Sequence, residues 1–279
     1  MSFNQEERIE LAASCRDTDH IPKVTDAGKV LVNSQGKRIQ VMHNGTQVLA
    51  DGYYSTPLTH LIEKLKGHHE PQEEKVFYEI LKLVKSESVM IELGAYWSFY
   101  SLWFQSAVNG ARNIMVEPEE ENLRIGRENF ELNGRKGTFI HALIGSQSSP
   151  DSNPPTVTID ELMKTYSLDH LEILHADIQG AEHKMLLGGR QSFAEKKIRF
   201  VFISTHGTRM HARCLGFLRR CLYHVIVEHT THESFSNDGL IVATADSHLK
   251  AKITISYRSS TFGGRFRSLL CRVHSHFAH

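Results

Sequence analysis

The sequence predicts an α/β architecture: a seven-stranded, mostly parallel sheet with an antiparallel last strand, preceded by a small N-terminal β appendage. Three observations predict it. From about residue 71 onward, short apolar runs alternate with stretches of helical periodicity. Runs such as 88–93, 171–176 and 199–205 are nearly continuous in apolar residues, as strands buried on both faces are. Asn237-Asp238-Gly239 marks a chain reversal directly before the apolar run 240–245, so the last strand folds back on its neighbour.

Each element follows in order. Residues 1–66 form the appendage, with short strands at 29–33 and 38–42 joined by Ser34-Gln35-Gly36-Lys37, a turn-rich patch holding Tyr53 and Tyr54, and a bridging helix near 57–66. The main domain spans 67–248. Its first helix opens at Pro71, a good first-turn residue, and Val76, Phe77, Ile80, Leu81 and Val84 share one face. Strand 88–93 leads to a buried helix over 98–108 that ends at Asn109-Gly110, then to strand 113–117. The next helix has Pro118 at its start, glutamates in its first turn and Gly134 past its end. Strand 138–144 is followed by a loop over 145–155, a strand-like TVTI and a short helix from Asp160. Strand 171–176 precedes a helix over 181–187 that Gly188-Gly189 stops. Strand 199–205, a helix over 208–222 and strands 224–228 and 240–245 complete the domain. Residues 249–279 are a C-terminal extension; its part from 258 on carries four arginines and no acid and reads as a loosely ordered tail.

Composition narrows the function. The chain has 279 residues, 40% hydrophobic and 23% charged, with a formal net charge of zero. No basic field of the kind that binds nucleic acid is present. No apolar run reaches the roughly 18 residues of a membrane span, and the polar, acidic N-terminus lacks the profile of a secretory signal. The expectation is a cytoplasmic protein with a small-molecule or glycan substrate and neither a nucleic-acid nor a membrane partner. Cys15, Cys214, Cys221 and Cys271 form no CxxC pair; Cys214 and Cys221 fall on one helix face and read as buried thiols. His68-His69-Glu70 and the His229–Glu233 stretch suggest metal but match no zinc spacing, so no metal site is expected.

In open α/β sheets, ligands bind beyond the carboxyl ends of the strands. Polar or small residues stand at each such end here: Glu92, Gly94 and Ala95, then Glu117, then Ala142 beside His141, then Asp177, then Thr205-His206-Gly207. Gly94 lets backbone approach a ligand with no Cβ in the way. Glu117 follows about 20 residues on, where an acid accepts the hydroxyl protons of a ribose, or else caps the following helix. Glu92 reads as a site carboxylate or as one satisfied by loop amides, and Asp177 as a site acid or a turn cap. His206 reads as a site base or a helix-start histidine. A dinucleotide enzyme would want GxGxxG after the first core strand; residues 94–99 read GAYWSF, which provides poorly for a pyrophosphate. A cofactor without phosphates, S-adenosylmethionine, fits better.

Residues 91–101 (IELGAYWSFYS), 116–134, 156–162 (TVTIDEL), 176–189 (ADIQGAEHKMLLGG) and 201–207 (VFISTHG) together resemble the FkbM-type methyltransferases, a class I S-adenosylmethionine-dependent family. The resemblance covers roughly 75–245, and DIQGAE is its most specific segment, with Gln179 in place of the usual acid. It implies a class I methyltransferase (Rossmann-like) fold and O-methylation of a sugar or secondary-metabolite hydroxyl. It also implies that Glu92, Gly94 and Glu117 line the cofactor, with Ala142 by the adenine. Ser98 stands where a second glycine is common, His175 where lysine is frequent, and Ser204-Thr205 where a Glu commonly precedes the histidine. His206 is the first candidate for general base, through a neutral imidazole near pH 7. Asp177 is the second, with Glu182 supporting the loop. Residues 67–74 are expected to lie over the cofactor entrance as a lid, with His69, Glu70 and Gln72 in contact. A non-catalytic scaffold that keeps the fold, or another nucleotide-linked enzyme, is the alternative.

Overall fold

The computed structural model describes residues 5–249 and 253–258. The chain begins with helix α1 (Gln5–Ala13) and a three-stranded antiparallel sheet, β1 (Val30–Val32), β2 (Arg38–Val41) and β3 (Gln47–Leu49). Helices α2 (Thr56–Lys64) and α3 (Pro71–Leu81) lead into the main sheet. There β4 (Val89–Leu93), α4 (Phe99–Ala107), β5 (Arg112–Glu117), α5 (Glu120–Leu132) and β6 (Thr138–His141) follow. A small parallel pair, β7 (Leu143–Ile144) and β8 (Thr156–Val157), precedes α6 (Ile159–Thr165). Then come β9 (Leu171–Ala176), α7 (Glu182–Gly188), α8 (Arg190–Ala194), β10 (Ile198–Thr205), α9 (Thr208–Arg220), β11 (His224–His229) and β12 (Gly239–Thr244).

The main sheet has seven strands in the order β11-β12-β10-β9-β4-β5-β6, and β12 runs antiparallel to both of its neighbours. Alternate residues face opposite layers. Ile91, Leu93, Leu174, Ala176 and Val201 pack under α6, α7 and α9, while Met90, Ile173, Phe200 and Phe202 pack under α3 and α4. Phe77, Phe99 and Phe202 are wholly buried; each such side chain contributes about 1.5–3 kcal/mol.

The N-terminal segment shares this core: Ile21, Met42, Val48 and Ile62 pack with Val76 and Trp103. The edge of β3 is closed by α5, whose Asn129 and Asn133 side chains accept from the N–H groups of Leu49 and Gln47 at 2.8 and 2.9 Å. A fully buried Glu74 fastens the same region from α3. Its carboxylate takes the backbone N–H groups of His69 and Glu70 at 2.7 and 3.0 Å and the His68 ring, on which the His43 ring stacks.

Differences from the sequence expectation are local. Helix α1, strand β3 and helix α8 are additional, each short. The run expected as strand 138–144 breaks at Ala142, where the chain leaves the main sheet to pair Leu143 and Ile144 with β8. The helix after Pro118 starts two residues later. The tight turn expected at 237–239 is the end of a longer loop spanning 230–238. Of the C-terminal tail, residues 259–279 lie outside the described residues.

Candidate active site

The register of the sheet brings the strand ends to one rim. Leu93 pairs with Ala176, and Glu117 with His141. Because β12 is antiparallel, its start, Gly239, pairs with Thr205 at that same rim. Gly94 has φ +72°, and a Cβ there would meet the Asp177 carbonyl oxygen at 1.9 Å. Only glycine lets the two strand ends come this close. They are stitched together: the Asp177 N–H donates to Leu93 at 3.0 Å, and the Gly94 N–H to Val116 at 2.9 Å.

Beyond this rim lies a cleft of about 280 Å³. Of the residues singled out in the sequence, Glu92, Gly94, Ala95, Glu117, Ala142, Asp177, His69 and Glu70 line it. Ser98 does not. It sits buried in a left-handed conformation under α5, where a Cβ on Gly126 would lie 2.5 Å from its hydroxyl. Gln72 does not either. Its amide donates to the Ser256 carbonyl at 2.7 Å and accepts from the Phe235 N–H at 2.8 Å, so it fastens the C-terminal segment instead of facing the cleft.

Each lining acid has a definite setting. Glu92 lies under the start of α4 and accepts from the Ser101 N–H at 3.1 Å. Burial pushes it up to about 7, against the pull of His175 and Ser101. Glu117 accepts from Tyr96 and Glu119 N–H groups, both at 3.0 Å, and burial raises it. It therefore holds its loops as well as facing the cleft: Oε1 also accepts from the Asn122 amide at 3.4 Å, while Oε2 takes only the Tyr96 N–H and keeps a further lone pair.

Asp177, Glu182 and His206 do come together, joined by Asp238. The His206 Nδ1 donates to Glu182 at 2.5 Å. Its Nε2 lies 3.3 Å from Asp177 and 3.2 Å from Asp238, aligned as a hydrogen bond with neither. Glu182 also accepts from the Gly180 N–H at 2.9 Å. Burial works against a charge on His206, but Glu182, Asp238 and Asp177 outweigh it and raise the ring to about 9. The setting departs from the neutral imidazole expected near pH 7, since the neighbouring carboxyl groups favour the imidazolium. Burial and the nearby Glu70 charge lift Asp177 to about 7, against the pull of His206.

Sequence reasoning missed several contributors. Tyr53, from the turn before α2, stacks on Trp97 at 4.4 Å and edges His69 at 5.5 Å, roofing the cleft. The turn-rich Tyr53-Tyr54 patch was the signal for it. Asp238 was legible as an acid opening an antiparallel strand. Glu73 was not: from α3 it accepts from His175 at 2.7 Å and from the Ser204 hydroxyl at 2.9 Å. Its carboxylate thus reaches the Ser204 end of strand β10, where the resemblance led to the expectation of an acid.

In this Rossmann-like sheet, acids, a glycine turn and a small residue face one cleft at the carboxyl rim, where open α/β sheets bind their ligands. Residues 87–225 match the family model described as the methyltransferase FkbM domain, and the chain belongs to that family over this segment. Among solved structures, a precorrin-6y C5,15-methyltransferase from Geobacter metallireducens is 14% identical, covering 62% of this chain and 88% of that one, with a TM-score of 0.43. TrmK from M. capricolum, in complex with S-adenosyl-homocysteine, is 14% identical over 63% and 71% of the two chains (TM-score 0.43). A putative rRNA methylase from Clostridium thermocellum is 10% identical over 62% and 94% (TM-score 0.46). No curated protein matches the chain. Among the described residues, no helix is long and apolar enough to cross a membrane.

Proposed function

We propose that the chain uses S-adenosylmethionine to methylate a hydroxyl of a sugar or secondary-metabolite acceptor, with Asp177 taking the hydroxyl proton. One observation carries this reading. Asp177 lines the cleft, and its Oδ1 is a buried acceptor with no aligned hydrogen bond among the described residues, the His206 Nε2 at 3.3 Å meeting it by charge alone. A buried oxygen left so is costly unless a ligand supplies the proton.

The cleft suits the cofactor. Glu92, Glu117 and Ala142 line it, and among the described residues neither lysine nor arginine does. Acids of this kind serve ribose hydroxyls and an ammonium group, and the lack of lysine and arginine among the described lining residues fits a ligand without phosphates. When bound, S-adenosylmethionine supplies an electrophilic methyl group on a sulfonium. The protein's part is to orient the acceptor oxygen, keep water out and remove its proton. Tyr53 and Trp97 cover the cleft against water. Glu182 orients His206 through Nδ1, and the imidazolium holds Asp177 in place through charge. With a proton affinity near neutrality, Asp177 Oδ1 is suited to accept the proton as the oxygen attacks.

Calorimetric titration with S-adenosylmethionine comes first; no binding would leave the scaffold reading standing. With binding shown, methyl transfer to glycoside and polyketide acceptors is followed by mass spectrometry. Asp177→Asn should lower turnover by about 100- to 10,000-fold with cofactor affinity unchanged. Turnover at the wild-type rate would remove Asp177 as the base.

A further inference from the structure

A second groove of about 390 Å³ opens beside the cleft and shares Tyr53, Tyr54, His69, Glu70 and Gln179 with it. Its outer wall is the seam of α1 and α2, where Ile9 and Ala12 pack with Leu58 and Leu61. Its opposite wall is the loop from Phe235 to Asp238. We infer that this groove admits the acceptor, and that it selects a hydroxylated amine: an ammonium group held at the inner, carboxylate-lined end and an apolar substituent along the α1–α2 seam. This rests on the methyltransferase reading above and adds the acceptor class to it.

Charge decides the inner end. Glu70 and Asp238 line the groove there and Asp177 the adjoining cleft; behind them the buried Glu182 joins Asp177 and Asp238 around His206, and His69 lies against Glu70. With both imidazoles protonated, the four carboxylates still leave an excess of negative charge. Burial raises Asp238 to about 6 and Asp177 to about 7, each with Glu70 adding to the rise and His206 opposing it. Carboxylates so placed gain from a further cation. Arg8, exposed on α1, is the one lysine or arginine among the described residues lining the groove, and it sits on the outer wall. A phosphorylated or carboxylated acceptor would therefore be repelled where the reacting hydroxyl must sit. Tyr53 and Tyr54, edge to face at 4.7 Å, add ring faces that suit an ammonium or the apolar face of a sugar. Beside Gln5 and Arg8, the seam at the outer end offers the apolar side chains of Ile9, Ala12, Leu58 and Leu61, which suit an apolar substituent.

The test uses the full chain and three probes: n-butyl glucosaminide, its N-acetyl derivative and n-butyl glucuronide. Binding is read by saturation-transfer NMR and by fluorescence of the two tryptophans, with S-adenosylmethionine titrated separately. The glucosaminide should bind at least about tenfold more tightly than the N-acetyl derivative, with the glucuronide weakest. Asp238→Asn should cut that preference to below about threefold with cofactor affinity unchanged. Raising salt on the unaltered protein should weaken the glucosaminide and leave the N-acetyl derivative alone, a check that needs no variant to fold. Equal binding of the three, preference for the glucuronide, or no binding of any overturns the inference. Failure of S-adenosylmethionine to bind overturns the methyltransferase reading instead, so the two outcomes are told apart.

Discussion

Replacing Gly94 by alanine puts the closeness of two strand ends to a quantitative test. The left-handed φ of +72° at this position costs an L-residue about 1–2 kcal/mol. The new Cβ would lie 1.9 Å from the Asp177 carbonyl oxygen, where contacts under 3.0 Å are essentially never seen. The Asp177 peptide must therefore retreat by about 1 Å, which strains its N–H bond to Leu93, 3.0 Å long. Losing that bond costs about 1 kcal/mol. The sum is on the order of 3 kcal/mol, or a melting temperature about 6–12 °C lower for a domain of this size. Gly134 is the control: it is also left-handed, at φ +59°, but an added Cβ there meets nothing within 4 Å. Gly134→Ala should lose only the conformational part, about 1–2 kcal/mol. Thermal melts of both variants with and without S-adenosylmethionine measure the difference. If Gly94→Ala melts with Gly134→Ala and still binds the cofactor, the pressed contact between the two strand ends is refuted.

Two further outcomes follow from the polar network. Glu182→Gln removes the carboxylate on the His206 Nδ1, and the ring, followed by NMR titration, should fall from about 9 back toward its ordinary value. The sign for stability follows from that shift. A histidine raised in the folded state stabilises fully below its unfolded value of about 6.5 and loses that contribution as pH rises through its folded value. The variant should therefore trail the wild type in urea most at pH 6 and least above pH 9; a constant gap would deny the ion pair. Asp17 accepts from the Ser256 N–H and hydroxyl at 2.8 and 2.9 Å and from Lys75 at 3.3 Å. Asp17→Ala should cost about 1–3 kcal/mol and speed hydrogen exchange at residues 253–258; unaltered exchange there would show that the segment is held otherwise.

Most of the sheet was legible in the sequence because buried parallel strands are written as continuous apolar runs. The run 171–176 coincides with β9 to the residue. The break at Ala142 was not legible, since no turn residue separates β6 from β7 and only their partners differ: β5 for one and β8 for the other. Chain length could not reveal α1 either. Its apolar face is only Ile9, Ala12 and Ala13, and it is held by a seam that α2 completes. At the site, the rule that ligands meet strand ends located Glu92, Glu117 and Asp177, which face one cleft. Ser98 and Gln72 show where position in a motif ceases to be informative. Backbone direction at a helix start sends one under α5 and the other toward residues 235 and 256.

Protonation at the site was beyond the sequence for a related reason: it depends on how many carboxylates meet, and they arrive from separate parts of the chain. His206 alone reads as a base. Surrounded by Glu182 from α7, Asp177 after β9 and Asp238 before β12, it holds its proton. The reversed last strand supplies Asp238, because antiparallel pairing with β10 puts the beginning of β12 where the other strands end. Helix α3 brings Glu73 to His175 and Ser204 in the same way, from 131 residues before Ser204 in sequence. A strand end that carries no acid of its own can thus still be met by a carboxylate, because another element reaches the same rim.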